Sequence, residues 1–171
     1  MDTRINLFDK TGKIVGQKAK SDIHRTKDIL PSVYIFVINN DKKMLLAEID
    51  QHPNNDRLYI GRIGLPAATY IQTDEDHEKA AHRALQSDLG IINPNCKYLG
   101  TYFENFDGEV KRHASVYYCT HPKNPTPNKN AFLDLQHFSR TDIEREIALN
   151  EENFAPSFLA LWNRHNRQLP I

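Results

Sequence analysis

Cysteine is scarce in this chain, with two among 171 residues, Cys96 and Cys119. Two thiols so placed make neither a disulfide framework nor a metal-binding knuckle, so a reducing cytoplasm is the expected compartment. Each reads as a small buried hydrophobe. An excess of either charge is missing too. Basic and acidic residues number 22 each, and the pI is about 7.1. A dedicated nucleic-acid binder leaves a basic footprint, so nucleic acid is not an expected partner. No apolar run approaches the ~18 residues that span a bilayer, and membrane insertion is not expected either. The longest such run, Val33 to Ile38, has the length of a strand. The first residues, Met1-Asp2-Thr3-Arg4, are polar and of mixed charge, without the apolar centre of an export signal. A Gly-rich loop ending in Gly-Lys-Ser/Thr and a Gly-x-Ser-x-Gly elbow are both absent.

The segments that are present predict one α+β domain over residues 1–171. Residues 4–18 read as a hairpin about the turn Asp9-Lys10-Thr11-Gly12. Val33 to Ile38 reads as a strand buried on both faces, returning through Asn39–Lys42 into Met44–Ile49. Leu58–Ile60 is expected as a short strand, and Ala67–Ile71 as extended chain. From Glu75 to Leu89 the pattern turns helical, with Asp74 as the expected N-cap and Gly90 as the stop. Strands are expected over Tyr98–Phe103, His113–Cys119 and Phe132–Phe138. A helix starts near Thr141, and residues 154–166 form a C-terminal helix whose Phe154, Phe158, Leu161 and Trp162 pack on the body.

Chemical content concentrates in GLPAATYIQTDEDHEKAAHRALQSDLGI, residues 64–91. Glu75 is followed by Arg83, Leu85, Asp88, Gly90 and Ile91 at the spacing of the Nudix box, Gly-x5-Glu-x7-Arg-Glu-aliphatic-x-Glu-Glu-x-Gly-aliphatic. Thr69, Ala84 and Ser87 stand where the box has Gly, Glu and Glu, and Asp88 is a shortened Glu. The chain therefore resembles the Nudix superfamily, with a degenerate box over about residues 69–91. The resemblance implies an α/β/α sandwich around a mixed sheet. It also extends to the isopentenyl-diphosphate isomerase branch, through the opening hairpin, Asp22-Ile23-His24-Arg25 and Asn153-Phe154-Ala155-Pro156-Ser157-Phe158. The isomerase's catalytic Cys, the Gly after it and its metal-binding His read Ala68, Thr69 and Tyr70 here, so isomerase activity is not expected.

Positions 84, 87 and 88 share one helix face. In the family that face carries carboxylates for Mg²⁺, a hard cation that takes oxygen ligands. The resemblance implies a hydrolase of a diphosphate-linked small molecule, such as a nucleoside diphosphate derivative, using Mg²⁺ or Mn²⁺. In that reading Asp88 is the main metal ligand, Glu75 an auxiliary ligand or water-orienting acid, and Arg83 an orienting group. With one carboxylate left on the face, turnover is expected to be weakened or lost. The alternative is a non-catalytic Nudix-fold module that binds a small phosphorylated molecule or a protein. Restoring carboxylates at 84 and 87 is expected to raise divalent-ion affinity. Glu104, Glu109 and His113 are weaker candidates for an extra base or ligand, and His24 is expected to be exposed. Glu78 and His82 are expected to pair on the surface, since His77 and His82 are spaced wrongly for a zincin helix. Substrate choice is assigned to the loops Gln51–Arg57 and Pro122–Asn130. Oligomeric state is left open, and a homodimer is compatible with the sequence.

Overall fold

The computed structural model describes residues 2–50, 58–122, 124–128 and 132–171, the side chain of residue 133 excepted. The expected specificity loop 51–57 lies outside the described residues, as do residues 123, 129 and 130 of the second such loop.

A hairpin opens the chain, with β1 (Arg4–Phe8) antiparallel to β2 (Ile14–Ala19). Asp9 makes its turn, accepting from the Thr11 and Lys13 N–H groups at 2.8 and 3.1 Å. The centre of the main sheet is β3 (Leu30–Ile38), followed by β4 (Met44–Ile49), β5 (Ile63–Gly64) and β6 (Ala67–Tyr70). The expected strand at 58–60 is instead part of a turn, in which Tyr59 takes φ +65°. A bulky residue in the left-handed region cannot continue a ladder, so pairing resumes only at Ile63.

Next come α1 (His77–Leu89), β7 (Asn95–Phe106), β8 (Val110–Thr120), β9 (Phe132–Phe138), α2 (Arg140–Asn150) and α3 (Pro156–His165). The N-cap of α1 is Asp76 rather than Asp74, and its carboxylate accepts from the Lys79 N–H at 2.8 Å. Gly90, at φ +65°, closes the helix by donating to the Gln86 carbonyl. The C-terminal helix begins at Pro156, and Phe154 precedes it as a buried anchor. Among the described residues no helix is long and apolar enough to cross a membrane.

The sheet is mixed. On one side β3 runs parallel to β8, from Leu30 opposite Arg112 to Ile38 opposite Thr120. On its other side β3 pairs antiparallel with β6 at Ser32–Ile35 and with β4 at Val37 and Ile38. β9 lies along β4, and β7 along β8. Alternation along β3 builds two cores. Val33, Ile35 and Val37 pack with Ala80, Ala81, Ala84, Leu85 and Leu89 of α1. Phe36 and Ile38 pack on the opposite face with Ile143, Phe158, Leu161 and Trp162 of α2 and α3. This is the α/β/α sandwich with a mixed sheet that the resemblance implies.

Cys96 and Cys119, read in isolation as small hydrophobes, are direct cross-strand neighbours on β7 and β8, and both are free thiols. The adjacent Cys119 thiol, together with burial, pushes the Cys96 thiol up. At the start of α2, Ser139 and Asp142 form a capping box. The Asp142 carboxylate accepts the Ser139 N–H at 3.1 Å, and Ser139 Oγ accepts the Asp142 N–H at 3.2 Å. Ser139→Ala should cost about 1 kcal/mol, seen in a thermal melt as a Tm about 2–4 °C lower.

Candidate functional site

Residues 69–76 leave the sheet at β6 and enter α1, and one ion pair shapes this passage. Arg83 Nε donates to Glu75 Oε1 at 2.7 Å, and Arg83 Nη2 donates to Glu75 Oε2 at 2.8 Å. The same guanidinium donates to the Tyr70 carbonyl at 2.8 Å and to Thr69 Oγ1 at 3.2 Å. Glu75 Oε2 also accepts the Gln72 N–H at 3.0 Å. Two parallel charge-assisted bonds are the strong form of this contact. Glu75 and Arg83 thus fasten the strand end, the loop and the second turn of the helix to one another. Burial pushes the Glu75 carboxyl up, but the Arg83 guanidinium and the Gln72 N–H outweigh it and hold the carboxyl below its ordinary 4.5.

The face at 84, 87 and 88 is divided by the packing. Ala84 is fully buried among Val33, Ile35, Val37 and Tyr117. Ser87 is exposed, and its hydroxyl donates to the Ala84 carbonyl at 3.3 Å. Asp88 is half-buried at the last turn of α1, where the 124–128 segment folds over the helix end. There the Asn128 N–H donates to the Asp88 carbonyl at 2.8 Å, and the Thr126 N–H to the Leu89 carbonyl at 3.0 Å. The Arg83 guanidinium is held charged first by Glu75, with Asp88 adding to the attraction. Glu75 and Arg83 are therefore brought together, while Asp88, toward the end of α1, adds its charge to the attraction on Arg83. A resident Mg²⁺ or Mn²⁺ finds few ligands in this donor set. Ala84 offers no ligand, both Glu75 oxygens are engaged, and among the described residues no three His, Cys, Asp or Glu side chains cluster to hold a metal ion.

The weaker candidates have structural work. His113 Nε2 donates to the Asp9 carbonyl at 3.0 Å, and its ring lies against Phe8 and Phe103, so it fastens the hairpin to the sheet. Glu104 accepts from Arg164 at 3.0 Å. Glu109, Glu78, His82 and His24 are exposed. His77 is held by the Tyr117 hydroxyl at 2.6 Å and stacks on Tyr98.

Two cavities lie on opposite sides of the β3/β6 pair. The larger, about 560 Å³, separates the hairpin from β7, β8 and the start of α1; Phe8, Lys10, Glu75, His77, Phe103 and His113 line it. The smaller, about 110 Å³, opens on the α3 side and is lined by Ser32, Tyr34, Tyr59, Tyr70, Phe106 and Arg112 among others. Asp88 lines neither. Sequence reasoning missed the second cavity, because Ser32, Tyr59 and Arg112 carry no shared motif.

A family model for the NUDIX domain matches residues 28–160. Among solved structures, DR0079 from Deinococcus radiodurans is similar, with TM-score 0.79 and 18% identity over 94% of this chain and 98% of that one. The NUDIX domain of Shewanella oneidensis NrtR, solved with ADP ribose, gives TM-score 0.62 and 19% identity over 87% and 95%. The MutT protein of Methanosarcina mazei Go1 gives TM-score 0.60 and 17% identity over 81% and 95%. At these identities the likeness shows the fold. No curated protein sequence matches the chain. A domain match spanning most of the chain, on a fold shared along nearly its whole length, places this protein in the Nudix family.

Proposed function

We propose that residues 1–171 act as one Nudix domain that binds a phosphorylated, nucleotide-like small molecule, and that Mg²⁺- or Mn²⁺-dependent hydrolysis by it is weakened or lost. The carrying observation is the α1 face, where Ala84 is sealed in the core and both Glu75 oxygens are engaged by Arg83. The larger cavity supports binding. Its volume lies within the usual range for small-molecule sites, about 300–1,000 Å³. Phe8 and Phe103 offer apolar ring surfaces for a base, and Lys10 a cation for a phosphate. The two free thiols favour a reducing compartment, the cytoplasm.

A second reading is a slow hydrolase in which Asp88 is the main metal ligand, Glu75 the auxiliary acid and Arg83 the orienting group. It is favoured by the attraction of Arg83 to both carboxylates. One panel separates the two readings: ADP-ribose and other nucleoside diphosphate derivatives, with Mg²⁺ or Mn²⁺, followed by calorimetric titration of the same compounds. Binding without turnover is the expected result. Rapid metal-dependent turnover that disappears in Asp88→Ala would establish the hydrolase. Neither binding nor turnover across the panel would refute the ligand-binding reading.

A further inference from the structure

The chain has two cysteines among 171 residues, and the fold sets them side by side. Cys96, near the start of β7, is the direct partner of Cys119, near the end of β8. Directly opposed residues of an antiparallel pair point to the same face, with Cα atoms about 4.5 or 5.5 Å apart. A disulfide spans Cα separations of about 4.4–6.8 Å, so the register alone brings these two within bridging range. Both side chains turn to the α1 face. Cys119 belongs there to the buried cluster with Tyr117 and Leu89, and Cys96 packs against it.

The two thiols also touch, and the contact is asymmetric. The Cys96 S–H donates to Cys119 Sγ, and the Cys119 S–H reaches the Thr120 carbonyl at 3.8 Å. Cys119 is wholly buried, whereas Cys96 is half-buried and meets solvent. The hydrogen bond from Cys96, helped by the Asn95 N–H, holds the Cys119 thiol below its ordinary 9.0 against the effect of burial. Loss of one proton leaves the pair with one charge and one bridging proton. Transfer of that proton within the S–H···S bond moves the charge between the buried sulfur and the one that an oxidant can reach.

We propose that Cys96 and Cys119 form a reversible dithiol–disulfide site, oxidised by a small disulfide such as glutathione disulfide, with Cys96 as the entry thiol and Cys119 as the resolving thiol. In the first step the Cys96 thiolate attacks one sulfur of glutathione disulfide. That S–S bond breaks, and one glutathione leaves as the thiolate and takes up the proton that Cys96 gave up. In the second step the Cys119 thiolate attacks Cys96 Sγ. The mixed disulfide breaks, and the second glutathione leaves and takes up the proton of Cys119. The protein gives two electrons and two protons, and one glutathione disulfide becomes two glutathiones. A dithiol reductant runs the same exchange backward. The bridge ties the chain leaving α1 to the strand that leads into the 124–128 segment over the end of that helix. It needs neither the larger cavity nor a divalent ion, so it stands whether or not the proposed function does.

The test equilibrates the full chain in buffers of varied glutathione to glutathione disulfide ratio. Thiols are then blocked with an alkylating reagent under denaturing conditions, and the products are weighed by mass spectrometry. As the disulfide share rises, the parent should pass from two free thiols to none, with the Cys96–Cys119 bridge recovered and the glutathione adduct scarcely populated. Dithiothreitol should restore both thiols. The bridged chain should melt about 5–10 °C above the reduced one. Cys119→Ser should trap the intermediate and raise the glutathione adduct at Cys96 about tenfold or more over the parent, because the neighbouring thiol that clears it is gone. That variant buries a hydroxyl, so Cys119→Ala runs beside it with the same expectation. Cys96→Ser should leave Cys119 unmodified in the folded chain. Two free thiols at every ratio, a parent that stops at the Cys96 adduct, disulfide-linked dimers in place of the internal bridge, a bridge that lowers Tm, or an adduct at Cys119 in Cys96→Ser would overturn the proposal.

Discussion

Ala84→Glu is expected to lower stability by about 4 kcal/mol, since it forces a carboxylate into a sealed apolar site and overfills it. In a chain of this length that corresponds to a Tm lower by about 10 °C. The packing leaves no smaller outcome. Ala84 is wholly buried in the core cluster that also holds Val33, Ile35, Val37 and Tyr117, and no part of it reaches solvent. Ser87→Glu, one turn away on an exposed position, should change stability by less than about 0.5 kcal/mol. The pair of substitutions that would rebuild a family-like box therefore separates into one harmful and one harmless change. Any gain in Mn²⁺ affinity should come from Ser87→Glu beside Asp88 and be visible by calorimetry in that single variant. A well-folded Ala84→Glu protein that binds Mn²⁺ tightly would show that this helix face opens to solvent.

Glu75→Gln should cost about 2 kcal/mol at neutral pH, because it removes the charge from a two-bond contact with a half-exposed guanidinium. The pH dependence has a definite sign. Glu75 titrates below 4.5 in the folded chain, so its contribution is complete above about pH 4.5 and is lost as the pH falls through its lowered value. Denaturant melts at pH 7 and at pH 3 should therefore show a larger difference between parent and variant at the higher pH than at the lower. A double-mutant cycle with Arg83→Ala should recover most of the effect as coupling between the two side chains. If Glu75→Gln leaves stability unchanged but abolishes turnover in the metal-dependent panel, the residue is an active-site acid rather than a fastener.

The sequence carried the layered fold well, and the site only in part. Val33 to Ile38, Met44 to Ile49 and the Gly90 stop declared themselves through periodicity and cap chemistry, which act within a few residues. The Glu75 and Arg83 positions were also visible through the box spacing, but which carboxylate Arg83 takes is decided by the folded passage, where it closes on Glu75. Leu58 to Ile60 looked like a strand because its apolar character carried no sign of the left-handed Tyr59. Asp76 displaced Asp74 as N-cap because Glu75 is drawn back to Arg83 and Gln72, which delays the helix. Ala84 was read as a lost ligand on an open face. Only the docking of α1 against β3 reveals that the position belongs to the core. Arg112 sits in the polar triplet Lys111-Arg112-His113, which reads as a solvated strand end until β3 covers it. The Cys96–Cys119 neighbourhood depends wholly on the pairing of β7 with β8.

The parallel ladder of β3 and β8 also sets how firmly the buried guanidinium of Arg112 is aimed. Leu30 faces Arg112 across that ladder, and Ser32 faces Ala114. Neighbouring residues on a strand point to opposite faces, so sliding β8 by a single position would carry Arg112 to the α1 side and bring His113 round in its stead. The same slide would invert Ala114, Val116 and Cys119, which are wholly buried on their present faces. Misalignment of the charge is therefore penalised by the entire strand: a vernier of apolar side chains locates the cation, and the Arg25 carbonyl holds its tip.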